Sequence, residues 1–124
     1  MERSASSHLV PAPSLLAEDK GRIYFYRLAK LWGAGLYPKI RLNGEAIGKP
    51  IAGRFFFKDV DPDTYEITIR TEVLRRLVLT ISAGQTRHVR ISAGLGWLTG
   101  RFRLELVSPE TAEAEIKELM YAGD

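Results

Sequence analysis

Residues 54–69, Arg54-Phe55-Phe56-Phe57-Lys58-Asp59-Val60-Asp61-Pro62-Asp63-Thr64-Tyr65-Glu66-Ile67-Thr68-Ile69, constrain the fold more than any other stretch. Phe55 to Phe57 is an aromatic run, and aromatic side chains suit a pleated, half-buried surface. Asp61-Pro62-Asp63-Thr64 reads as a tight turn: proline presets φ at the first central position, and aspartate tolerates a left-handed second one. Beyond it, Tyr65, Ile67 and Ile69 alternate with Glu66, Thr68 and Arg70. That period of two sends one apolar row toward a core and one polar row toward water. The expectation is a hairpin with one apolar face, which needs a second layer to cover it.

The rest of the chain supplies that layer. Arg22 to Leu28 is apolar or aromatic on both faces and reads as a central strand, with Ile23 and Phe25 toward the main core. Tyr37 to Leu42 alternates, Asn43-Gly44 is a strong hairpin signal, and Glu45 to Ile47 returns. Leu77, Leu79 and Ile81 form another alternating strand. Ala83-Gly84-Gln85 turns it, and Thr86 to Ile91 is expected to pair back with Val89 and Ile91 inward. Phe102, Leu104 and Leu106 alternate with Arg101, Arg103 and Glu105 in a last strand. Ser108-Pro109-Glu110 opens a helix with a capping hydroxyl, proline at the first helical position and an acid in the first turn. Ala112, Ile116, Leu119 and Met120 share a face of that helix, expected over 109–121, with Gly123 able to end it. The sum is a mainly β fold, an antiparallel β-sandwich of seven or eight short strands with one C-terminal α-helix covering an open end or an edge.

At 124 residues the chain is long enough for one domain, taken as 21–124, preceded by a flexible tether over 1–20. No charged segment followed by an apolar one opens it, so a signal peptide is not read here. Two readings of the tether stand side by side: a natural disordered N-terminus, or a chain trimmed of its targeting segment. With no cysteine, disulfides, zinc–thiolate sites and thiol nucleophiles are excluded together. The net charge of +3 is uneven. Residues 108–124 hold five acids and one base, a balance of −4, so the preceding 107 residues carry +7. Arginines at alternate strand positions make either a solvated, edge-protecting face or a basic surface for phosphate, lipid headgroups or nucleic acid.

The succession Arg22-Ile23-Tyr24-Phe25-Tyr26-Arg27, Asn43-Gly44, Val60-Asp61-Pro62-Asp63-Thr64-Tyr65 and Ala83-Gly84-Gln85-Thr86 resembles a bacterial family of domains of unknown function, number twenty-eight forty-six, over roughly residues 21–110. The turn before Tyr65 is also similar to the Pro-Gly-x-Tyr turn of carboxypeptidase-regulatory-like and PEGA-like sandwiches, with Asp63 replacing the glycine. Many members of the family are small lipoproteins. The resemblance therefore implies a sandwich of the cell envelope, periplasmic or anchored to the outer membrane through a segment not in this sequence. It implies no activity and transfers no functional residue.

Candidate chemistry is sparse. Asp59, Asp61 and Asp63 alternate as calcium ligands can, but Thr64 and Arg70 stand where an EF-hand loop needs glycine and an acid, so turn capping is the simpler reading. His8 falls in the tether and His88 at an outward strand position, where a surface histidine with an ordinary pKa is expected. Gly94, Gly96 and Gly100 lack the spacing of a phosphate loop. Tyr24, Tyr26, Arg27, Arg41, His88 and Arg90 contain the side-chain types of a single-strand nucleic-acid groove, but the strand count disfavours that class. Trp32 and Trp97, the latter followed by Leu98, lie in glycine-rich loops near Arg101 and Arg103. They suit a membrane interface or a partner surface, or else they plug the ends of the sandwich.

The sequence thus leads to a non-enzymatic binding or structural module with a protein partner and no cofactor. The partner would be held by end loops or by strand addition at an open edge. Trp32, Trp97, Leu98, Arg101 and Arg103 are the candidate contacts. The competing classes are membrane-surface or small-ligand binding through the two Trp loops and, behind them, nucleic-acid binding or hydrolysis.

Overall fold

The computed structural model describes residues 15–29, 35–94 and 101–122. Nine strands and one helix lie within them: β1 (Gly21–Arg27), β2 (Ile40–Leu42), β3 (Glu45–Gly48), β4 (Arg54–Val60), β5 (Asp63–Arg70), β6 (Leu74–Ile81), β7 (Thr86–Gly94), β8 (Arg101–Val107), α1 (Pro109–Ile116) and β9 (Met120–Tyr121). They form a five-stranded sheet in the order β8-β7-β1-β4-β9 and a four-stranded sheet in the order β3-β2-β5-β6. Between the sheets sit Ile23, Phe25, Ile40, Leu42, Val60, Ile67, Ile69, Leu79, Ile81, Val89, Ile91 and Phe102. Each occupies an every-second-residue position of its strand, so the period-two rows of the sequence become the core. β1 is the middle strand of the larger sheet, and Ile23 and Phe25 point inward as expected.

The expected hairpin at residues 54–69 is instead a corner. β4 pairs with β1 and β9, whereas β5 pairs with β2 and β6, so the chain leaves one sheet at Asp61-Pro62 and enters the other at Asp63. A two-residue hairpin that follows strand twist needs left-handed residues in its loop. Neither Pro62 nor Asp63 has a positive φ, and Asp63 is already the first residue of β5. Asn43-Gly44 shows the contrast. Both residues have positive φ, 49° and 87°, and β2 and β3 pair directly across them.

The second correction concerns Thr86 to Ile91. β7 does not return along β6. It crosses to the larger sheet and lies parallel to β1, with Tyr24 opposite His88 and Phe25 opposite Val89. β9 also runs parallel to β4, so the larger sheet is mixed rather than antiparallel throughout. The crossing at Ala83-Gly84-Gln85 is held to the start of β1: Gly84 N donates to Lys20 O at 2.8 Å and Arg22 N to Gln85 O at 2.9 Å. Here the contact is so close that a Cβ on Gly21 would come within 2.6 Å of Ile81 and 3.0 Å of the Ser82 carbonyl oxygen.

The helix covers a face, not an end. Ser108 caps α1 by accepting from Thr111 N, with Pro109 at its first position. Ala112, fully buried, packs with Leu119, Tyr26 and Phe55 in a second cluster on the outer side of the larger sheet. α1 stops at Ile116 rather than near residue 121. Met120 and Tyr121 form β9, where Met120 N donates to Gly53 O at 3.0 Å and Ala122 N to Phe55 O at 2.7 Å. Met120 is consequently exposed, although the helical spacing put it on the apolar face. Gly123 lies outside the described residues.

Candidate binding cleft

The outer face of the larger sheet carries most of the unusual chemistry. Along β1 the outward row is Arg22, Tyr24 and Tyr26; β4 contributes Phe55, Phe57 and Asp59, and β7 contributes Thr86, His88 and Arg90. The rings form a connected patch. Tyr24 lies 6.2 Å from Phe55 and 5.5 Å from Phe57, and Tyr121 of β9 lies 5.4 Å and 5.8 Å from the same two rings, all measured between centroids. His88 stacks on Tyr24 at 5.3 Å with only 6° between planes.

Charge on this face is spent internally. Arg22 Nε and NH2 donate to the two Asp59 carboxylate oxygens at 2.6 and 3.0 Å while the guanidinium lies 4.2 Å from the Phe57 centroid. Arg90 NH1 donates to both Glu115 oxygens at 3.0 and 2.8 Å, and its Nε to Glu105 at 3.3 Å. Tyr26 donates its hydroxyl to Glu115 at 2.6 Å. Burial, then the bond to Glu115, pushes the Tyr26 phenol well above its ordinary pKa. The Glu115 contacts with Tyr26 and Arg90 tie α1 to the sheet.

His88 departs from expectation. It sits on the outward row as read from the sequence, yet only 4% of it is exposed. Burial lowers its pKa, opposed by Glu113. Its Nδ1 is buried without a hydrogen-bond partner among the described residues. Leaving a buried polar atom unpaired costs about 1–3 kcal/mol. Next to it, α1 and the sheet leave a cleft of about 320 Å³ whose walls include Tyr24, Phe55, His88 and Ile116. Glu113 and Lys117, one helical turn apart and both exposed, complete its lining together with Thr86.

The sequence candidates disperse. Trp32, Trp97 and Leu98 lie outside the described residues, as does His8. Arg101 approaches Glu72 at 3.3 Å, and Arg103, with 69% of its side chain exposed, lies 3.7 Å from Glu105. The three aspartates turn to three different partners: Asp59 to Arg22, Asp61 to Lys20 at 2.6 Å, and Asp63 to the backbone N of Thr64 at 2.7 Å. No group of three His, Cys, Asp or Glu able to hold a metal occurs among the described residues. Nor do the nucleic-acid candidates form one groove. Tyr26 and Arg90 are engaged with Glu115, and Arg41 stands on the other sheet. Arg27 is buried, donating to the Leu36 and Pro50 carbonyls at 2.8 Å each.

These elements define a mainly β domain of two packed sheets with a short C-terminal helix. The chain belongs to the family described as protein of unknown function (DUF2846), whose model matches residues 17–100. No curated protein and no solved structure matches it. The matched stretch contains Tyr24, Phe55 and His88, while the helical wall of the cleft lies beyond it.

Proposed function

We propose that the domain is a non-enzymatic binding module of the bacterial cell envelope, tethered as a lipoprotein, which holds a protein partner by strand addition along β6. The observation that carries this reading is the state of that strand. β6 spans eight residues and pairs with β5 alone, leaving its other edge without a strand among the described residues. Such an edge is a template for another chain, because main-chain groups supply affinity and alternate side chains supply selectivity. Its outward row is Leu74, Arg76, Val78 and Thr80, with Leu74 38% and Val78 59% exposed. One carbonyl of the strand, that of Thr80, already accepts from Arg87 at 3.1 Å.

The non-enzymatic assignment is supported by how the described ionisable groups are used. Asp59, Glu105 and Glu115 are each engaged with arginine. The envelope location and the tether rest on the sequence resemblance alone: the lipoproteins it implies within the family and the likeness of the turn before Tyr65 to carboxypeptidase-regulatory-like and PEGA-like sandwiches.

The test is a comparison of baits in envelope extract. Wild-type domain retains a specific protein, and Val78→Lys, which adds a cation to the edge without touching the core, loses it. Equal retention by both, or no retained envelope protein, contradicts the proposal.

A further inference from the structure

We propose that the outer face of the smaller sheet docks on an anionic lipid surface, with Lys39, Arg41 and Arg70 receiving the headgroup phosphates. This docking is independent of strand addition along β6, which uses the edge of that sheet rather than its face.

Three observations carry it. The first is position. Arg41 stands opposite Thr68, and Arg70 lies two residues further along the same row of β5, so the two arginines are diagonal neighbours on one face. Lys39 directly precedes β2. These three cations, Thr68 and Leu74 line a surface hollow of about 400 Å³, and no described acid enters its lining. The second is the state of the charges. Arg41 gives one bond, to the Gly44 carbonyl oxygen at 3.2 Å, and Lys39 and Arg70 meet no carboxylate among the described residues. On the larger sheet, by contrast, Arg22 and Arg90 are held by Asp59, Glu105 and Glu115. The outward rows of β2, β5 and β6 contain one acid, Glu66, and Arg76 neutralises it at 2.7 Å. Like charges so placed repel one another, and an anionic partner relieves that repulsion. The third is the apolar content of the same face. Leu74 lies opposite Arg70 and Val78 opposite Glu66, both exposed. Aliphatic side chains among cations suit the headgroup layer, where apolar tips enter and charges stay level with the phosphates. A single-stranded nucleic acid would call for rings on which to stack its bases, and the outward rows of these strands hold none.

The experiment sediments the whole chain with vesicles of phosphatidylcholine alone and of phosphatidylcholine mixed with phosphatidylglycerol. Binding to the mixed vesicles only, weakening as salt rises, is expected. Arg41→Gln and Arg70→Gln, both at exposed positions, each lower the partition coefficient about fivefold, and the double variant lowers it about twenty-five-fold. Arg70→Lys keeps the binding. Lys58→Gln, which removes the same charge from an exposed position on the larger sheet, leaves it unchanged. The proposal is overturned if the mixed vesicles retain no protein, if neutral vesicles retain as much, or if Lys58→Gln costs as much as Arg70→Gln. Displacement from the vesicles by a single-stranded oligonucleotide or by inorganic phosphate, at equal phosphate concentration, overturns the lipid assignment. Vesicles of pure lipid contain no protein partner, so a negative result here leaves strand addition along β6 standing, and the reverse holds.

Discussion

Tyr26 donates its hydroxyl to Glu115 Oε1 at 2.6 Å, joining two residues 89 positions apart. Tyr26 is 1% exposed in the centre of the larger sheet, and Glu115 is on α1 with Arg90 on its other side. This contact, with the Arg90–Glu115 pair and the buried Ala112, holds the helix on the sheet. Tyr26→Phe should therefore lower stability by about 1 kcal/mol, the net worth of one hydrogen bond. Glu115→Ala should cost about 2 kcal/mol, since it strands the buried phenol and leaves Arg90 with Glu105. Urea denaturation of the two variants against wild type measures both, and the larger loss is expected for Glu115→Ala.

His88 gives a prediction with the opposite sign. Replacing it by Phe removes a buried atom that has no partner among the described residues, so His88→Phe should be neutral or stabilise by up to about 1 kcal/mol. The pH dependence follows. In the folded chain the imidazole pKa lies below its ordinary value of 6.5, so the unfolded chain takes up the proton first. Wild-type stability should hold above about pH 6.5 and fall as pH drops below it, although Glu113 moderates the effect. His88→Phe should lack that part of the decline, and the gap between the two proteins should widen from pH 7 to pH 5 in denaturant titrations.

At Gly21 the close approach of the corner forbids a side chain. A Cβ there would meet Ile81 at 2.6 Å and the Ser82 carbonyl oxygen at 3.0 Å. Gly21→Val should destabilise by about 1–3 kcal/mol through overpacking, whereas a side chain at Gly84 would meet no neighbour within 4 Å and strains only its φ of +77°. Thermal melts of Gly21→Val and Gly84→Asn, the latter a residue that tolerates left-handed backbone, should show the larger drop for Gly21→Val.

Arg27 works inside the fold rather than on a surface. Its guanidinium lies 5.0 Å from the Phe102 centroid and bonds the carbonyls of Leu36 and Pro50, tying the connections before β2 and β4 to β1. Arg27→Met fills similar volume but takes the donor from the buried Pro50 carbonyl and the part-buried Leu36 carbonyl, which should cost about 1–3 kcal/mol. Arg41→Met, at an exposed position, should change stability by less than about 0.5 kcal/mol. Paired denaturation curves check the contrast.

Local rules made much of the fold legible. Alternation placed Ile67, Ile69, Leu79, Val89 and Ile91 in the core. Asn43-Gly44 located a hairpin, and Ser108-Pro109 located the start of α1. What stayed hidden was nonlocal. Nothing near Asp61-Pro62 states that β4 and β5 belong to different sheets, because strand partners are chosen by the whole core and not by the turn between them. The parallel pairing of β1 with β7 joins residues more than sixty positions apart and has no local signature. The cleft was missed for a related reason. His88 was readable as outward, but its burial depends on α1 folding over that face, and α1 was expected at an end or an edge. A double signal existed in the sequence: aromatic residues at Tyr24, Tyr26, Phe55 and Phe57 on rows opposite to the core rows. Rings on both faces of a sheet require two covers.

The strand-addition account stands or falls on one measurement, amide hydrogen exchange of the domain alone and in complex with the envelope protein it retains. The account predicts new protection on the amides of Leu74–Ile81, with the amides of β1 and β7 unchanged. Unchanged exchange along β6, with new protection at Arg101 and Arg103 or around α1 instead, would contradict it.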